Sequence, residues 1–177
     1  MFGKMIDKIA VENCINQIKN KFEKYPDIFL TEEDVRGQLF GILSKCFPKI
    51  KKTKDGSESV AVHSQVTWYN SKGYLRINPD ISIINVATLD KTKVTAKGFY
   101  VEEIPFAIEL KLNRGEKNKK QVKSGMIYDL NKMEKLRSRN KGSNFYMLYL
   151  DKCSRFKSQE IEALQSKYFA KIIYGNP

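Results

Sequence analysis

Histidine occurs once in this chain, at His63, and cysteine three times, at Cys14, Cys46 and Cys153, with no Cys-x-x-Cys pair. That scarcity excludes the usual zinc ligand sets, which need closely spaced His and Cys side chains, and makes reduced, packed thiols the expected state. Long apolar runs are also missing. None approaches the roughly 20 residues needed to cross a bilayer. The opening Met1-Phe2-Gly3-Lys4-Met5-Ile6-Asp7-Lys8 acquires charge too early for the apolar segment of a secretory signal. A cytoplasmic protein with no membrane partner is expected. Acid is the scarce charge: 20 Asp and Glu against 32 Lys and Arg leave a net charge of +12. Such an excess favours a polyanionic partner, because each phosphate neutralised by a cation releases condensed counterions.

What is present suits one folded unit. The chain has 177 residues, of which 41% are hydrophobic, enough to bury a core. Ile6, Ile9, Ala10, Cys14, Ile15, Ile18 and Phe22 recur at helical spacing. Thr31 with Asp34 three residues on has the form of a capping box, and it opens a second helix that buries Val35, Leu39, Ile42, Leu43 and Cys46. Residues 60–69, rich in β-branched and aromatic side chains, predict a strand. A second strand is expected over 74–86, interrupted at Pro79, with a short hairpin strand at Lys93-Val94-Thr95. The clearest strand runs from Ile104 to Leu112. A long helix over 119–139, a strand over 145–150, a helix over 158–170 and a strand at 171–174 complete the pattern. The order is two helices, a meander of three or more strands, then alternating helix and strand. It predicts an α/β fold, a central mixed sheet flanked by helices. N-terminal helices would occupy 1–47, a core 57–150, and a closing helix and strand 157–175.

The strand Ile104-Pro105-Phe106-Ala107-Ile108-Glu109-Leu110-Lys111-Leu112 carries the chemistry. Side chains alternate along a strand, so Phe106, Ile108, Leu110 and Leu112 share one face, and Ala107, Glu109 and Lys111 the other. Charges in an apolar strand are costly unless paired or bound to a ligand. Asp80 follows Pro79 at the mouth of a second apolar strand, Asp80-Ile81-Ser82-Ile83-Ile84. If the two strands are neighbours, Asp80 meets Glu109, and two converging carboxylates form a site for a hard divalent cation, Mg²⁺ or Mn²⁺. Glu109-Leu110-Lys111 is the only Asp/Glu-x-Lys triplet in the chain, and the other Pro-Asp pair, Pro26-Asp27, falls between helices. The competing reading makes Glu109 and Lys111 partners in a cross-strand salt bridge on a solvated face.

Pro79-Asp80 with Glu109-Leu110-Lys111 resembles the signature of the PD-(D/E)xK nuclease superfamily, whose members have a restriction-endonuclease-like core. The segment Thr31-Glu32-Glu33-Asp34-Val35-Arg36 resembles the upstream helix on which that superfamily often carries a further Glu, and its spacing favours Glu32 over Glu33. The resemblance covers roughly residues 32–150. It implies metal-dependent endonuclease chemistry, phosphodiester hydrolysis by metal-activated water, on DNA rather than RNA. It also implies Asp80, Glu109, the Leu110 carbonyl and Glu32 as metal ligands, and Lys111 as the group that positions or activates the water. Arg114, Lys117, Lys119, Lys120 and Lys123, beyond the triplet strand, and Arg76 before Asp80 are candidate phosphate contacts; Lys49, Lys51, Lys52 and Lys54 form another basic cluster. A homodimer or larger complex is compatible with this picture. Among subtypes, a Holliday-junction resolvase is small and basic too, although the stretch between Asp80 and Glu109 is long for one. The rival from another class is a non-catalytic nucleic-acid-binding or protein-interaction domain on the same fold. His63 is expected to be structural, and Trp68 and Tyr69 to pack rather than stack on bases.

Overall fold

Helix α1 (Lys8–Lys24) starts where the Asp7 carboxylate accepts the Ile9 N–H at 2.9 Å, and buries Val11, Cys14, Ile15, Ile18 and Phe22 as one stripe. Helix α2 (Glu32–Cys46) opens with the capping box in both directions. Thr31 Oγ1 accepts the Asp34 N–H, and the Asp34 carboxylate accepts the Thr31 N–H. The two helices pack together through stripes that include Ile18, Leu39 and Leu43. Cysteines distant in sequence meet there: Cys14 Sγ lies 3.1 Å from Cys46 Sγ, and burial, with the neighbouring thiol adding to it, pushes Cys14 up to about 12. The computed structural model describes residues 7–70, 72–95, 98–115, 118–138, 142–168 and 170–177.

The strands are β1 (Lys51–Lys52), β2 (Glu58–Ser59), β3 (Val62–Ser64), β4 (Trp68–Tyr69), β5 (Leu75–Ile77), β6 (Ile81–Ile83), β7 (Leu89–Thr95), β8 (Gly98–Val101) and β9 (Phe106–Asn113). Helix α3 (Lys119–Arg137), β10 (Asn144–Asp151), α4 (Ser158–Tyr168) and β11 (Lys171–Gly175) follow. The main sheet has five strands in the order β11-β10-β9-β6-β3. Its β9, β10 and β11 are parallel, while β6 runs antiparallel to both β9 and β3. A four-stranded sheet, β5-β4-β8-β7, and the β1-β2 ribbon stand beside it. Helix α1 packs on β10 and β11, α2 on β3 and β9, and α4 on β11 and α3. The architecture is a mixed sheet flanked by helices, as the alternation of patterns predicts. Among the described residues no helix is long and apolar enough to cross a membrane.

The expected meander does not form. Residues 60–69 divide into β3 and β4, which join different sheets, because Gln65 takes a φ of 53° and turns the chain. Residues 74–86 likewise divide at Asn78-Pro79, where proline offers no N–H to a ladder; β5 joins the smaller sheet and β6 the main one. The chain from β6 to β9 is therefore an excursion through β7 and β8, and the two strands that bound it lie side by side. Burial explains the centre of the main sheet. Ile108, Leu110, Met147, Leu148 and Leu150 are fully enclosed, as a strand covered on both faces requires.

Candidate active site

Strand pairing brings the acids together. β6 meets β9 with Ile81 opposite Ile108 and Ser82 opposite Ala107, so the next position places Asp80 opposite Glu109. Cross-strand neighbours share a face. The Asp80 carboxylate is held on two sides: Oδ2 accepts the Leu110 N–H at 2.8 Å, and Oδ1 accepts from Arg36 Nη1 at 3.0 Å. Its main chain is anchored too, since the Asp80 carbonyl accepts the Gln65 N–H at 3.0 Å and Ser64 Oγ at 3.3 Å.

Face selection follows the period of the strand. Tyr146, registered with Ile108, sends its hydroxyl to Glu12 on α1. Glu109, registered with Met147, points the other way and meets α3, where Lys132 Nζ donates to its Oε1 at 2.8 Å. Lys111, two residues on, also meets α3: its Nζ lies 3.6 Å from Asp129 and 3.6 Å from Glu32 at the start of α2. Asp129 and Lys132 are one helical turn apart, so one face of α3 supplies an acid to the site's lysine and a lysine to the site's acid. The competing sequence reading, a Glu109–Lys111 bridge, is replaced by these two separate pairings.

Electrostatics distinguish the two triplet residues. Burial pushes the Glu109 carboxyl up to about 7, with Asp80 adding to the rise and Lys132 opposing it. Burial works to lower Lys111, but Glu32, Asp129, Asp80 and Glu109 outweigh it and hold the ammonium above its usual value. Lys111 therefore keeps its proton.

The rest of the first turn of α2 is divided between tasks. Glu32 Oε2 accepts the Leu112 N–H at 3.3 Å, at the end of β9. Glu33 turns aside, pairing with Arg36 while its side chain stays 68% exposed. Arg36 is buried, and with the Gln65 amide oxygen turned toward it Gln65 accepts from both Nη atoms at 2.7 and 2.8 Å. Sequence reasoning gave Arg36 and Lys132 no role in the charge pairing; it held Asp129 and Tyr128 as residues that either face the site from the helix or serve the core or surface, and of the two Asp129 reaches Lys111. Arg36 lies one turn after Glu32 on the same helix, and that spacing is the signal that could have found it.

The basic residues are less gathered. Lys119 donates to Glu160 at 2.6 Å and lies over the Phe156 ring. Lys120, Lys123 and Arg114 are exposed on α3 and on the turn before it. Lys117 and the side chain of Arg76 lie outside the described residues. In the other cluster Lys52 pairs with Glu58 and Lys54 with Glu102. Tyr128 is 74% exposed and faces away from the core. His63 packs edge-on to Trp68 with Nε2 2.9 Å from the Val60 carbonyl, and burial lowers its pKa; Trp68 is buried with its indole N–H on Ser82 Oγ. Both have structural partners.

Among the described residues no group of three or more His, Cys, Asp or Glu side chains is spaced to hold a metal. The donor set nonetheless suits a small hard cation. Two carboxylates meet at one corner, and magnesium commonly takes one or two protein carboxylates and keeps several waters.

No protein-family model matches the chain, and no curated protein matches it. Among solved structures it is similar to NucC of P. aeruginosa ATCC27853 in its cAAA-bound form, with a TM-score of 0.52 at 9% identity, covering 93% of this chain and 72% of NucC. At that identity the likeness is one of fold. The chain has the restriction-endonuclease-like α/β fold that NucC also has, with Asp80, Glu109 and Lys111 clustered on its main sheet.

Proposed function

We propose that this protein is a metal-dependent nuclease that hydrolyses phosphodiester bonds, with DNA as its substrate and Asp80, Glu109 and Lys111 as its catalytic residues. The observation that carries the reading is the pairing of β6 with β9, which sets the acid of the Pro-Asp turn opposite the acid of the Glu-Leu-Lys strand. Fold similarity to NucC supports it at the level of architecture.

In this reading Asp80 and Glu109 hold a Mg²⁺ or Mn²⁺ ion. The Leu110 carbonyl is the third donor. In an antiparallel ladder a residue exchanges its N–H and C=O with the same neighbour, so Leu110's carbonyl leaves β9 on the side where its N–H meets Asp80. Glu32 stands close enough to Lys111 to complete the shell through water. Such an ion, when bound, lowers the pKa of its water and offsets charge on the phosphate oxygens. The chain's residues do the rest. Lys111, held between Glu32 and Asp129, positions or activates the attacking water and steadies charge on the phosphate. Arg36 and the Leu110 N–H hold the Asp80 carboxylate in one orientation. Arg114, Lys119, Lys120 and Lys123, on α3 and the turn before it, grip the nucleic-acid backbone.

Purified protein incubated with plasmid, single-stranded DNA and RNA in Mg²⁺, Mn²⁺ or EDTA tests this. Cleavage of DNA in metal, none in EDTA and none with Asp80→Ala is expected. An Asp80→Ala variant that cuts as fast as wild type would falsify the assignment.

One observation favours a second reading, a non-catalytic nucleic-acid-binding or protein-interaction domain. Both carboxylates already have a protein cation, Arg36 on Asp80 and Lys132 on Glu109. That reading predicts salt-sensitive binding to nucleic acid, no cleavage in any metal, and no Mn²⁺ uptake at the acids.

A further inference from the structure

The two cations that neutralise the site are built differently. Arg36 is locked: its side chain is 10% exposed, it holds Asp80 at 3.0 Å, and Glu33 and Gln65 grip the same guanidinium. Lys132 is not. Its side chain is 42% exposed, and among the described residues its ammonium contacts Glu109 Oε1 at 2.8 Å and the Asn78 carbonyl at 3.5 Å, the outer limit of a hydrogen bond. Lysine is a point charge on a flexible stem and loses one acceptor more easily than a forked guanidinium loses three. The charges around the corner are Asp80, Glu109, Glu32 and Asp129 against Arg36, Lys111 and Lys132, an excess of acid that a cation relieves.

We propose that Lys132 is a resident counter-ion that occupies Glu109 until a divalent cation arrives, and that its displacement frees the ammonium to meet the substrate's phosphate. The inference rests on the metal-site reading above. An ammonium and a dication cannot share one buried carboxylate oxygen without repelling each other at close range. The weaker, solvated partner leaves. At about 100° per residue Lys132 projects from the opposite side of α3 to Lys119, Lys120 and Lys123, the side that meets Glu109, so a released Lys132 stays beside the acids as a cation separate from that row. Lys132 is thus a positioning residue for Glu109 without metal and a phosphate contact with it.

Two measurements on the full chain test the exchange. Manganese binding by calorimetry should tighten about three- to thirtyfold in Lys132→Gln, the span for losing one partly exposed charge-assisted contact. Lys132→Arg, which keeps the charge and the pairing, should bind no tighter than wild type, and Lys120→Gln, which alters only the distant field, should change affinity less than twofold in about 0.15 M salt. In parallel, brief acylation with an amine-reactive ester, quantified by mass spectrometry, should label Lys132 several-fold faster with saturating Mn²⁺ than in EDTA, while Lys120 stays constant. Manganese bound normally by wild type and lost in Asp80→Asn, but with Lys132 labelling and the Lys132→Gln affinity unchanged, overturns the exchange and leaves the metal site standing. No manganese binding by wild type, or binding indifferent to Asp80→Asn, overturns both.

Discussion

Two buried acids stand on adjacent strands of the main sheet, Glu109 on β9 and Asp151 at the end of β10, and they are treated in opposite ways. Asp151 is fully enclosed and saturated with donors. Its carboxylate accepts from Asn113 Nδ2 at 2.9 Å, Arg155 Nη1 at 2.9 Å, Tyr174 Oη at 3.1 Å, and the N–H groups of Cys153 and Arg155 at 3.2 and 3.0 Å. Arg155 in turn donates to the Gly115 carbonyl at 2.9 Å, which ties down the turn after β9, where Gly115 takes a φ of 119°. Glu109 has one solvated lysine and, across the ladder, a second carboxylate. A buried acid that carries structure is given donors on every lone pair. One placed beside another acid, with a single solvated lysine, leaves acceptor capacity open, as the proposed metal site requires.

Single substitutions should separate the two acids most widely. Asp80→Asn should lower metal-dependent cleavage by about 10³-fold or more while the fold melts near the wild-type temperature. Asp151→Ala should cost about 3–5 kcal/mol in urea denaturation, because it strands a mostly buried Arg155, yet leave the rate per folded molecule nearly intact. If Asp151→Ala abolished cleavage at unchanged stability, the contrast between the sites would fail.

Glu32 should matter less than Asp80, because it reaches the site through Lys111 and the Leu112 N–H. Glu32→Gln is expected to slow cleavage about 10–100-fold, as loss of an orienting partner does in comparable sites, with KM little changed. A thousandfold loss would instead place Glu32 on the metal itself.

Acidity sharpens the comparison further. Burial holds the Glu109 carboxyl up at about 7, above the usual 4.5 of a glutamate, so between those values the folded state keeps a proton there that the unfolded chain has lost. The stabilising preference for the protonated acid is complete below about 4.5 and is lost as pH rises through about 7. Glu109→Gln, a mimic of the protonated acid, should therefore stabilise the metal-free protein by about 1–3 kcal/mol at pH 8 and make little difference near pH 4. Denaturation in EDTA at the two pH values reads this directly, and equal shifts at both would remove the claim. Cleavage should rise with pH through the same region, since the ionised acid is the one that binds a cation.

The smallest effects belong to the basic face. Lys120→Ala and Lys123→Ala should each reduce the salt slope of DNA binding by about one, while Lys119→Ala should do less, its charge being shared with Glu160. Filter binding over a salt series would separate them.

Local chemistry made much of this legible. The Thr31–Asp34 capping box, the apolar stripe of α1 and the strand at Glu109 could be read from spacing because each depends on neighbours in sequence. The assignment of β4 and β5 to a separate sheet could not, since a strand of two or three residues has no pattern of its own. Nor could the role of Lys132. It is one lysine among many on a polar helix, and what singles it out is a carboxylate on a strand well before it in the chain.

The residues alone determined which side chains could form a charged cluster and which face of β9 would carry it, because alternation along a strand is a local geometric rule. Only the folded chain decided their partners. Arg36 on Asp80, Lys132 on Glu109, and Lys111 between Glu32 and Asp129 join separate elements. Charge pairing depends on distance and burial together, and both are set when helices close over a sheet.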